Sequence, residues 1–408
     1  MSDPLLPTAA QEWQARAREV ADKYVRPVAW KYDRLQQYPW EIQEKLRDYG
    51  LYRVFVPAEY GGDGGSVLNL CVVVEELARA CGGVGVGFAV NALGSFPIMI
   101  GGTDEQKERL LPDIAAGRRL VAFGLSERNA GSDAGGMTCN AVRDGDDWVV
   151  NGHKKWNTNG LVAHVNTIFA VTDPESRSRR ISALVVERPG QGAELGDLPG
   201  FRVSKIEDKM GIRAIPVVEL EFDGLRVPHA NLVGGRAGMG FKHAMMTLDK
   251  ARPGVAAQAV GCAQGALDFA LVYATERVQF GQPIASLQMV QQMLADAAQK
   301  VEAARQLVHA AARHIDAATP KANKFAAMAK CFATDVAMEV TTNAVQILGG
   351  YGFMRDYPVE KFMRDAKITQ IYEGTNQVQR LVIARNLIKE ASELDHLKGF
   401  FPIPEDAR

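Results

Sequence analysis

Cysteine is scarce in this 408-residue chain, and no two cysteines stand at a CxxC spacing. The odd number, five, and the wide separation disfavour a disulfide framework and a thiol redox motif. Such a scattered set is typical of a protein kept in a reducing compartment. We therefore expect a cytoplasmic protein of a bacterium, with an organelle matrix as the alternative. The five residues are Cys71, Cys81, Cys139, Cys262 and Cys331.

An excess of charge of one sign is also missing. The 47 lysines and arginines nearly balance the 48 aspartates and glutamates, which leaves a formal net charge of -1. Without a long basic run to neutralise phosphates, nucleic acid is not the expected partner. The seven histidines show no HExxH or similar ligand spacing, which predicts no metal site. We find no apolar stretch of the signal-peptide type near the N-terminus, and we expect no later run long enough to form a membrane span.

The length and the hydrophobic periodicity predict three domains and an α+β fold that is predominantly α. From residue 11 to about 120, apolar residues recur at three- and four-residue spacing, which predicts an N-terminal helical domain over 1–120. Two glycine clusters there, at 61–65 and 82–87, lack a clean GxGxxG and are interpreted as loops or tight helix contacts.

The middle of the chain changes to a period of two. Val218, Leu220 and Phe222 alternate with acidic residues, and similar runs occur at 148–150, 168–171 and 181–186. This pattern predicts a β-domain of sandwich or barrel type over 121–235.

The remainder, 236–408, is predicted to be a C-terminal four-helix bundle. Its alanine- and glycine-rich stretch at 240–278 would allow close helix packing, and a third helix over 322–348 would end at Gly349 and Gly350. Residues 287–311, which lie between these two stretches, contain two heptad seams. The seams are Leu287, Leu294, Val301 and Val308, and Val290, Ala297, Ala304 and Ala311.

Three polar segments are candidates for function. The first, GLSERNAGSDAGG at 124–136, follows a short apolar run, and its glycines would let backbone N–H groups face a ligand. A structural turn would explain its glycines but not Ser126, Ser132 and Asp133 together. The second, NGHKKWNTNG at 151–160, places Trp156 and Thr158 on a strand flanked by Asn-Gly turns, and an ordinary hairpin is its alternative.

The third segment, at 346–385, contains the candidate general base, Glu373. It follows Ile371 and Tyr372 and precedes Gly374 and Thr375, so we expect its carboxylate on a break between helices beside an aromatic ring. Apolar neighbours would raise its pKa toward the value that a general base needs. A helix N-cap box around Glu373 and Thr375 is the structural alternative.

The first and third segments resemble the two signature motifs of the acyl-CoA dehydrogenase family, across 124–136 and 346–365. The similarity extends over nearly the whole chain, including KMGIRA at 209–214, RVQFG at 277–281 and IYEGTNQVQR at 371–380. The family's three-domain architecture agrees with the periodicity described above. One branch of the family carries its base on the long helix before Arg252, where this chain has Ala251. The resemblance is therefore to the medium- and short-chain-like arrangement, with the base at Glu373.

The resemblance implies FAD as the cofactor. Trp156 and Thr158 would pack on the isoalloxazine, with the Thr158 hydroxyl near flavin N5. Residues around Arg277 and Gly350 would hold the pyrophosphate and adenine across a subunit boundary, because an arginine fork binds phosphate oxygens in pairs. The implied cofactor-binding residues are Phe123, Leu125, Ser126, Ser132, Trp156, Thr158, Arg277, Phe280, Gln288, Gln346, Gly350, Thr375 and Gln377.

The implied reaction is the α,β-dehydrogenation of an acyl-CoA to a trans-2-enoyl-CoA. Glu373 would remove the α-proton while flavin N5 takes the β-hydride, and the backbone N–H of the base and a flavin ribityl hydroxyl would stabilise the enolate. The implied substrate-binding residues are Ser132, Asp249, Arg252, Gly374 and Arg385. The deep end of the acyl pocket would lie at Ser95, Phe96 and Met99.

The resemblance also implies a homotetramer that passes electrons to an electron-transfer flavoprotein. A flavin oxidase, a monooxygenase or a decarboxylating dehydrogenase of the same fold is the alternative within flavin enzymes. A non-catalytic acyl-CoA-binding scaffold is the alternative of another class. The sequence does not distinguish acyl groups that are straight, branched, aromatic or dicarboxylic.

Overall fold

Helices occupy both ends of the chain and strands its middle in the computed structural model, which describes residues 4–397. This confirms the predominantly helical α+β fold. The N-terminal helices are α1 (Thr8–Val20), α2 (Ala29–Leu35), α3 (Trp40–Asp48), α4 (Val67–Ala80), α5 (Gly82–Gly101) and α6 (Asp104–Ala115). The strands that follow are β1 (Val121–Gly124), β2 (Asn140–Asp144), β3 (Asp147–Thr158), β4 (Val165–Val171), β5 (Ile181–Glu187), β6 (Gly190–Gln191), β7 (Glu194–Leu195), β8 (Phe201–Ile206) and β9 (Val217–Pro228). The C-terminal elements are α7 (Gly240–Glu276), β10 (Val278–Gln279), β11 (Gln282–Pro283), α8 (Gln288–Asp316), α9 (Ala322–Leu348), α10 (Gly350–Phe353), α11 (Val359–Lys367) and α12 (Asn376–Glu390).

The seven longer or central strands, β1 to β5 with β8 and β9, form one sheet. Its order is β1-β4-β2-β3-β9-β8, with β5 paired to β4. The predicted alternation on β9 is present, since Val218, Leu220 and Phe222 are buried in one apolar cluster. Glu219 on the opposite face is also buried, and its charge is compensated by Lys155, whose Nζ lies 3.1 Å from the carboxylate. The acidic residues of β9 therefore pair with basic side chains, as Lys155 does with Glu219 and Arg202 does with Glu221.

The second predicted segment is a strand up to Thr158, and the expected turn at Asn159 and Gly160 follows it. The expected Asn-Gly turn at Asn151 and Gly152 is wrong. Both residues lie inside β3, and the pairing with β9 shifts register between Val150 and Gly152. Gly152 has φ +131°, and a Cβ on it would lie 2.7 Å from the Cα of Cys139. The glycine therefore allows a bulge and a close approach to the neighbouring chain.

The C-terminal helices form the predicted bundle. Both heptad seams lie on α8 or at its start, and Ala297, Val301, Ala304, Val308 and Ala311 on them are buried. Helix α9 ends where predicted, at Leu348, and Gly349 follows with φ +59° and ψ -135°. That conformation is open to glycine, which explains the stop.

Helix α7 packs backbone to backbone against α4. A Cβ at Gly261 would lie 2.3 Å from the Glu75 carbonyl oxygen, and one at Gly265 would lie 2.4 Å from that of Arg79. The second glycine cluster has a similar role on α5, where a Cβ at Gly85 would lie 2.8 Å from the Ala78 Cβ. These contacts confirm the interpretation of tight helix packing.

Two helices, α5 and α7, are long and apolar enough to cross a membrane by length and composition alone. The expectation that no run meets this measure is therefore wrong. The apolar windows are 83% and 72% buried within the protein, as expected for helices that pack at the centre of a core.

All five cysteines are buried and unpaired. Burial raises the pKa of Cys139 to about 11 and also raises the pKa of Cys71, Cys262 and Cys331. Their thiols are therefore protonated at neutral pH and shielded from solvent.

The close contact between α7 and α4 predicts that two glycine-to-alanine changes on α7 differ greatly in their effect on stability. We expect Gly261→Ala to lower the free energy of unfolding by about 1–3 kcal/mol, because its methyl group would overlap the backbone of α4. Gly254→Ala is the matched control. Its Cβ would meet no heavy atom within 4 Å, so better helix propensity should raise stability by up to about 1 kcal/mol. Denaturant unfolding of both variants measures the difference, and equal stabilities would contradict the packing.

Candidate active site

Glu373 lies on the predicted break between helices. The break follows a 3-10 turn at Ile368–Gln370 and precedes α12. Two consecutive residues there have left-handed backbones, with φ +53° at Glu373 and φ +91° at Gly374. A left-handed glutamate is uncommon and persists only where surrounding contacts hold it.

The contacts that hold this break come from α12 and α9. Gln379 Nε2 donates to the carbonyl oxygens of Glu373, at 3.2 Å, and of Gly374, at 2.9 Å. Lys330 Nζ donates to the same Gly374 oxygen at 2.9 Å. Thr375 caps α12, because its hydroxyl accepts from the Val378 N–H at 3.3 Å. Part of the N-cap alternative is therefore present, on Thr375 and not on the Glu373 side chain.

The Glu373 carboxyl group is in an environment that disfavours its charge. Its Oε2 atom is buried and has no hydrogen-bond partner among residues 4–397. Burial raises the pKa of Glu373 to about 7, while the positive charges of Arg252 and Lys330 pull the pKa down. Tyr372 packs beside it against Val86, Ile212 and Val217. The carboxyl group therefore changes charge near neutral pH, as a general base should.

Two predicted substrate-binding residues, Asp249 and Arg252, form an ion pair on α7. Arg252 is buried, its Nη1 lies 2.5 Å from Asp249 Oδ1, and its Nε has no partner among the residues described. Asn323 donates to the same Asp249 oxygen at 2.6 Å, and Asn386 donates to Asn323 at 2.9 Å. This chain of contacts joins α7, α9 and α12 beside the candidate base. Arg385, also on α12, is exposed.

The first predicted segment follows β1 and is tied to β3. Lys154 Nζ donates to the Leu125 carbonyl at 3.2 Å and lies 2.7 Å from Glu127 Oε1, with both side chains buried. The Ser126 carbonyl accepts from the Lys155 N–H at 2.9 Å. Phe123 contacts Phe169, with ring centroids 5.2 Å apart. Ser132 is exposed farther along the loop.

Trp156 and Thr158 lie at the end of β3, next to this loop. Trp156 is 53% exposed and has φ +59°, so a large indole stands outside the core on a left-handed backbone. Thr158 is half-buried. The structure therefore brings the predicted residues of the first and second segments together, where the loop after β1 contacts the end of β3.

The remaining predicted cofactor residues lie in the C-terminal part. Arg277 and Gly350 line one cleft of about 540 Å³, together with Tyr273 and Tyr351. The Arg277 guanidinium lies over the Tyr351 ring, 5.5 Å from its centroid. Phe280, Gln288 and Gln346 are exposed and do not line this cleft, and Gln377 is exposed on α12.

Several neighbours of the candidate base were not predicted. Lys330 and Gln379 hold its backbone, and Gln258 accepts a hydrogen bond from the Tyr372 hydroxyl. A lysine inside an otherwise apolar or small-residue helix is a sequence signal that could have identified Lys330. Ser95 and Phe96 are buried on α5, where Ser95 donates to the Asn91 carbonyl at 2.7 Å. Their role in an acyl pocket stays a prediction, as does that of Met99.

Three family models match consecutive parts of the chain. They are described as acyl-CoA dehydrogenase N-terminal, middle and C-terminal domains, and they match residues 7–118, 122–225 and 238–388. The chain is 46% identical over 384 residues to the protein named "Probable acyl-CoA dehydrogenase fadE25" of Mycobacterium leprae, which is 94% of this chain and 96% of that relative.

Solved structures give the same result. Butyryl-CoA dehydrogenase from Megasphaera elsdenii matches with a TM-score of 0.89 at 42% identity, over 95% of this chain and 100% of that chain. A glutaryl-CoA dehydrogenase from Mycobacterium smegmatis, solved in complex with FADH2, matches with a TM-score of 0.86 at 27% identity, over 95% and 96% of the two chains.

The raised pKa of Glu373 predicts a pH-dependent effect of Glu373→Gln on stability. The folded state holds a proton on Glu373 between about pH 4.5 and 7 that the unfolded state releases, so this group's stabilising contribution is lost as pH rises through about 7. The glutamine variant does not titrate. Its stability relative to the unmodified protein should therefore increase between pH 5 and 8, by up to about 3 kcal/mol.

Thermal unfolding across this pH range, without acyl-CoA, measures the effect. Glu44→Gln, on an exposed position of α3, is the control for replacing a glutamate with glutamine. A stability difference that stays constant from pH 5 to 8 would show that the Glu373 carboxyl group is solvated.

Proposed function

This chain belongs to the acyl-CoA dehydrogenase family, and from that premise we propose which residues carry the reaction. It is a flavoprotein oxidoreductase that dehydrogenates acyl-CoA with FAD as cofactor. The domain limits 1–120, 121–235 and 236–408 are part of the proposal. The change from helix to strand between Ala115 and Val121, and back to helix by Gly240, supports them.

We propose that Glu373 is the base that removes the α-proton of the thioester. The observation that carries this role is a carboxylate oxygen that is buried, has no partner among the residues described, and belongs to a group with a pKa of about 7. A carboxylate freed from water and from hydrogen bonds can accept a proton from a weak carbon acid more readily than a solvated one. The left-handed backbone holds the carboxyl group in one direction, which favours a defined approach to the substrate.

The residues present fit a flavin. The exposed Trp156 indole would otherwise be an apolar surface on a strained backbone, and a planar ring stacked on it would cover that surface. The cleft at Arg277 and Gly350 combines a guanidinium, aromatic rings and a glycine backbone, which suits a pyrophosphate and an adenine. When bound, the flavin supplies the acceptor for the hydride that leaves the β-carbon. Phe123, Leu125, Ser126, Ser132, Thr158, Phe280, Gln288, Gln346, Thr375 and Gln377 complete the proposed set.

The CoA part of the substrate is proposed to contact Asp249, Arg252 and Arg385. Arg252 Nε has no partner within residues 4–397 and lies beside the ion pair with Asp249, so it can still donate to a polar group of the ligand. Gly374 completes the proposed set next to the base, and a Cβ there would lie 2.6 Å from Gln379 Nε2, so glycine allows the amide that holds the break. Ser132 is exposed on the loop after β1, within reach of a pantetheine arm by the family's arrangement.

The proposed assembly is a homotetramer in the cytoplasm, with an electron-transfer flavoprotein as electron acceptor. Large apolar side chains are exposed on the C-terminal elements, which supports an interface there. Phe280 is the most exposed of them, at 89%, and has φ +52°. The others include Met289, Phe353, Leu387 and Ile388.

The role of Glu373 predicts the outcome of an anaerobic reduction. Purified protein should be yellow, and a suitable acyl-CoA should bleach it. Glu373→Gln should keep its bound FAD, because the amide has nearly the same shape, but should bleach at least about a hundredfold more slowly. For the unmodified protein, kcat/KM should rise with pH up to about 7, since the base must be ionised.

The measurement is flavin absorbance after mixing with a panel of straight, branched, aromatic and dicarboxylic acyl-CoAs, with Glu44→Gln as control. Undiminished bleaching of Glu373→Gln would place the base elsewhere. Rapid return of colour when oxygen is admitted would favour an oxidase.

The exposed Phe280 predicts that cofactor retention depends on a second subunit. Phe280→Ala should weaken FAD binding by about tenfold or more and leave the fold of the protomer intact, since the ring touches little within its own chain. FAD content and mass by light scattering measure this. Trp30→Ala, an exposed aromatic residue on α2, is the control. Full retention of FAD by Phe280→Ala would contradict a contact across the boundary.

A further inference from the structure

Lys330 is a fully buried lysine in the middle of α9. Its Nζ donates to two neutral oxygens, the Gly374 carbonyl at 2.9 Å and Asn376 Oδ1 at 2.9 Å. Burying an ammonium against neutral partners is unfavourable compared with an apolar side chain of the same size. Packing of the bundle alone therefore does not account for a lysine at this position.

The atoms that Lys330 contacts are themselves fixed. Asn376 Nδ2 donates to Thr334 Oγ1 at 2.8 Å and to Asp335 Oδ1 at 2.7 Å, so it is attached to α9 about one turn after the lysine. Because the Gly374 carbonyl follows Glu373 by one residue, the ammonium acts directly on the left-handed pair that carries the base. The rigid helix α9 thereby determines the position of a break that has no regular structure of its own.

The charge of Lys330 also acts on the base. It is one of the two positive charges that lower the pKa of Glu373 against burial, the other being Arg252. The pKa of Lys330 itself is lowered to about 8, chiefly by burial. The positive charge of Arg252 also lowers this pKa, while Glu373, Cys331 and Asp335 raise it. Between about pH 7 and 8 the base is therefore ionised while the lysine still carries its proton.

We propose that Lys330 is the positioning residue of Glu373, holding the break through the Gly374 carbonyl and supplying a positive charge that keeps the base ionised. This inference rests on the proposed role of Glu373. It adds a second requirement for the reaction, because Lys330 must be protonated while Glu373 is ionised. The pH profile of proton abstraction should therefore have two limbs, an acidic limb that rises as Glu373 ionises and a basic limb that falls as Lys330 loses its proton.

Substitutions at Lys330 separate charge from position. Lys330→Met removes the charge and the hydrogen bonds, so the rate of flavin reduction should fall about tenfold to a hundredfold. Its acidic limb should move upward on the order of one pH unit, and its basic limb should disappear. Lys330→Arg keeps a charge that does not titrate. It should keep the acidic limb in place, lose the basic limb, and reduce more slowly than the unmodified holoenzyme because its fork does not reproduce the contact with Gly374.

Lys324→Met is the matched control on the same helix. Lys324 is also buried, and its Nζ donates to both carboxylate oxygens of Glu390 at 2.7 and 2.6 Å, away from the base. This variant should lose stability without moving either limb. A readout that needs no turnover is the pH dependence of thermal unfolding, where the Glu373 transition should move upward in Lys330→Met only.

A Lys330→Met holoenzyme with both limbs and the rate unchanged, and only its stability lowered as in Lys324→Met, would overturn the proposal. If Lys330→Met does not fold, Lys330→Arg decides, and an unmodified rate and basic limb in that variant would equally overturn it. A failure of the Glu373 role is distinguishable, because Glu373→Gln would then still reduce the flavin.

Discussion

The site depends on one carboxyl group that has a buried oxygen, Oε2 of Glu373, and is carried on a left-handed backbone. Burial moves the pKa of Glu373 to about 7, and two cations, Arg252 and Lys330, limit that rise. Neither effect would be useful without the other, since burial alone would leave the group protonated and the cations alone would leave it a weak base. The surrounding helices form a frame that holds both cations near the break that carries Glu373, which has no regular secondary structure of its own.

That frame comes from distant parts of the sequence. Arg252 lies on α7, Lys330 on α9 and Gln379 on α12, and the contact of α7 with α4 is made close by glycine at 261 and 265. Three of the seven non-glycine residues that have a positive φ in the described part of the chain are proposed site residues. They are Trp156, Phe280 and Glu373. The strain of such a backbone persists where surrounding packing compensates for it.

Local patterns in the sequence were sufficient for much of the architecture. The heptads of α8, the end of α9 before Gly349 and the alternation of β9 each follow from side-chain periodicity or a single glycine, so they could be predicted. The position of Glu373 between helices could also be predicted from its neighbours. The bulge at Gly152 could not, because Asn-Gly usually marks a turn and the strand continues only through its pairing partners. Lys330 was missed for a related reason, since its contact with Gly374 joins residues far apart in the chain.

The five buried thiols have a practical consequence for the study of this protein. Because every native cysteine is shielded within the fold and the four with a raised pKa are protonated at neutral pH, alkylating reagents should leave the native set untouched while the protein is folded. A single cysteine introduced on the loop after β1 could then carry a fluorophore or a spin label, without prior removal of the native ones. Motions of the loop after β1 could thereby be followed in the otherwise unaltered chain.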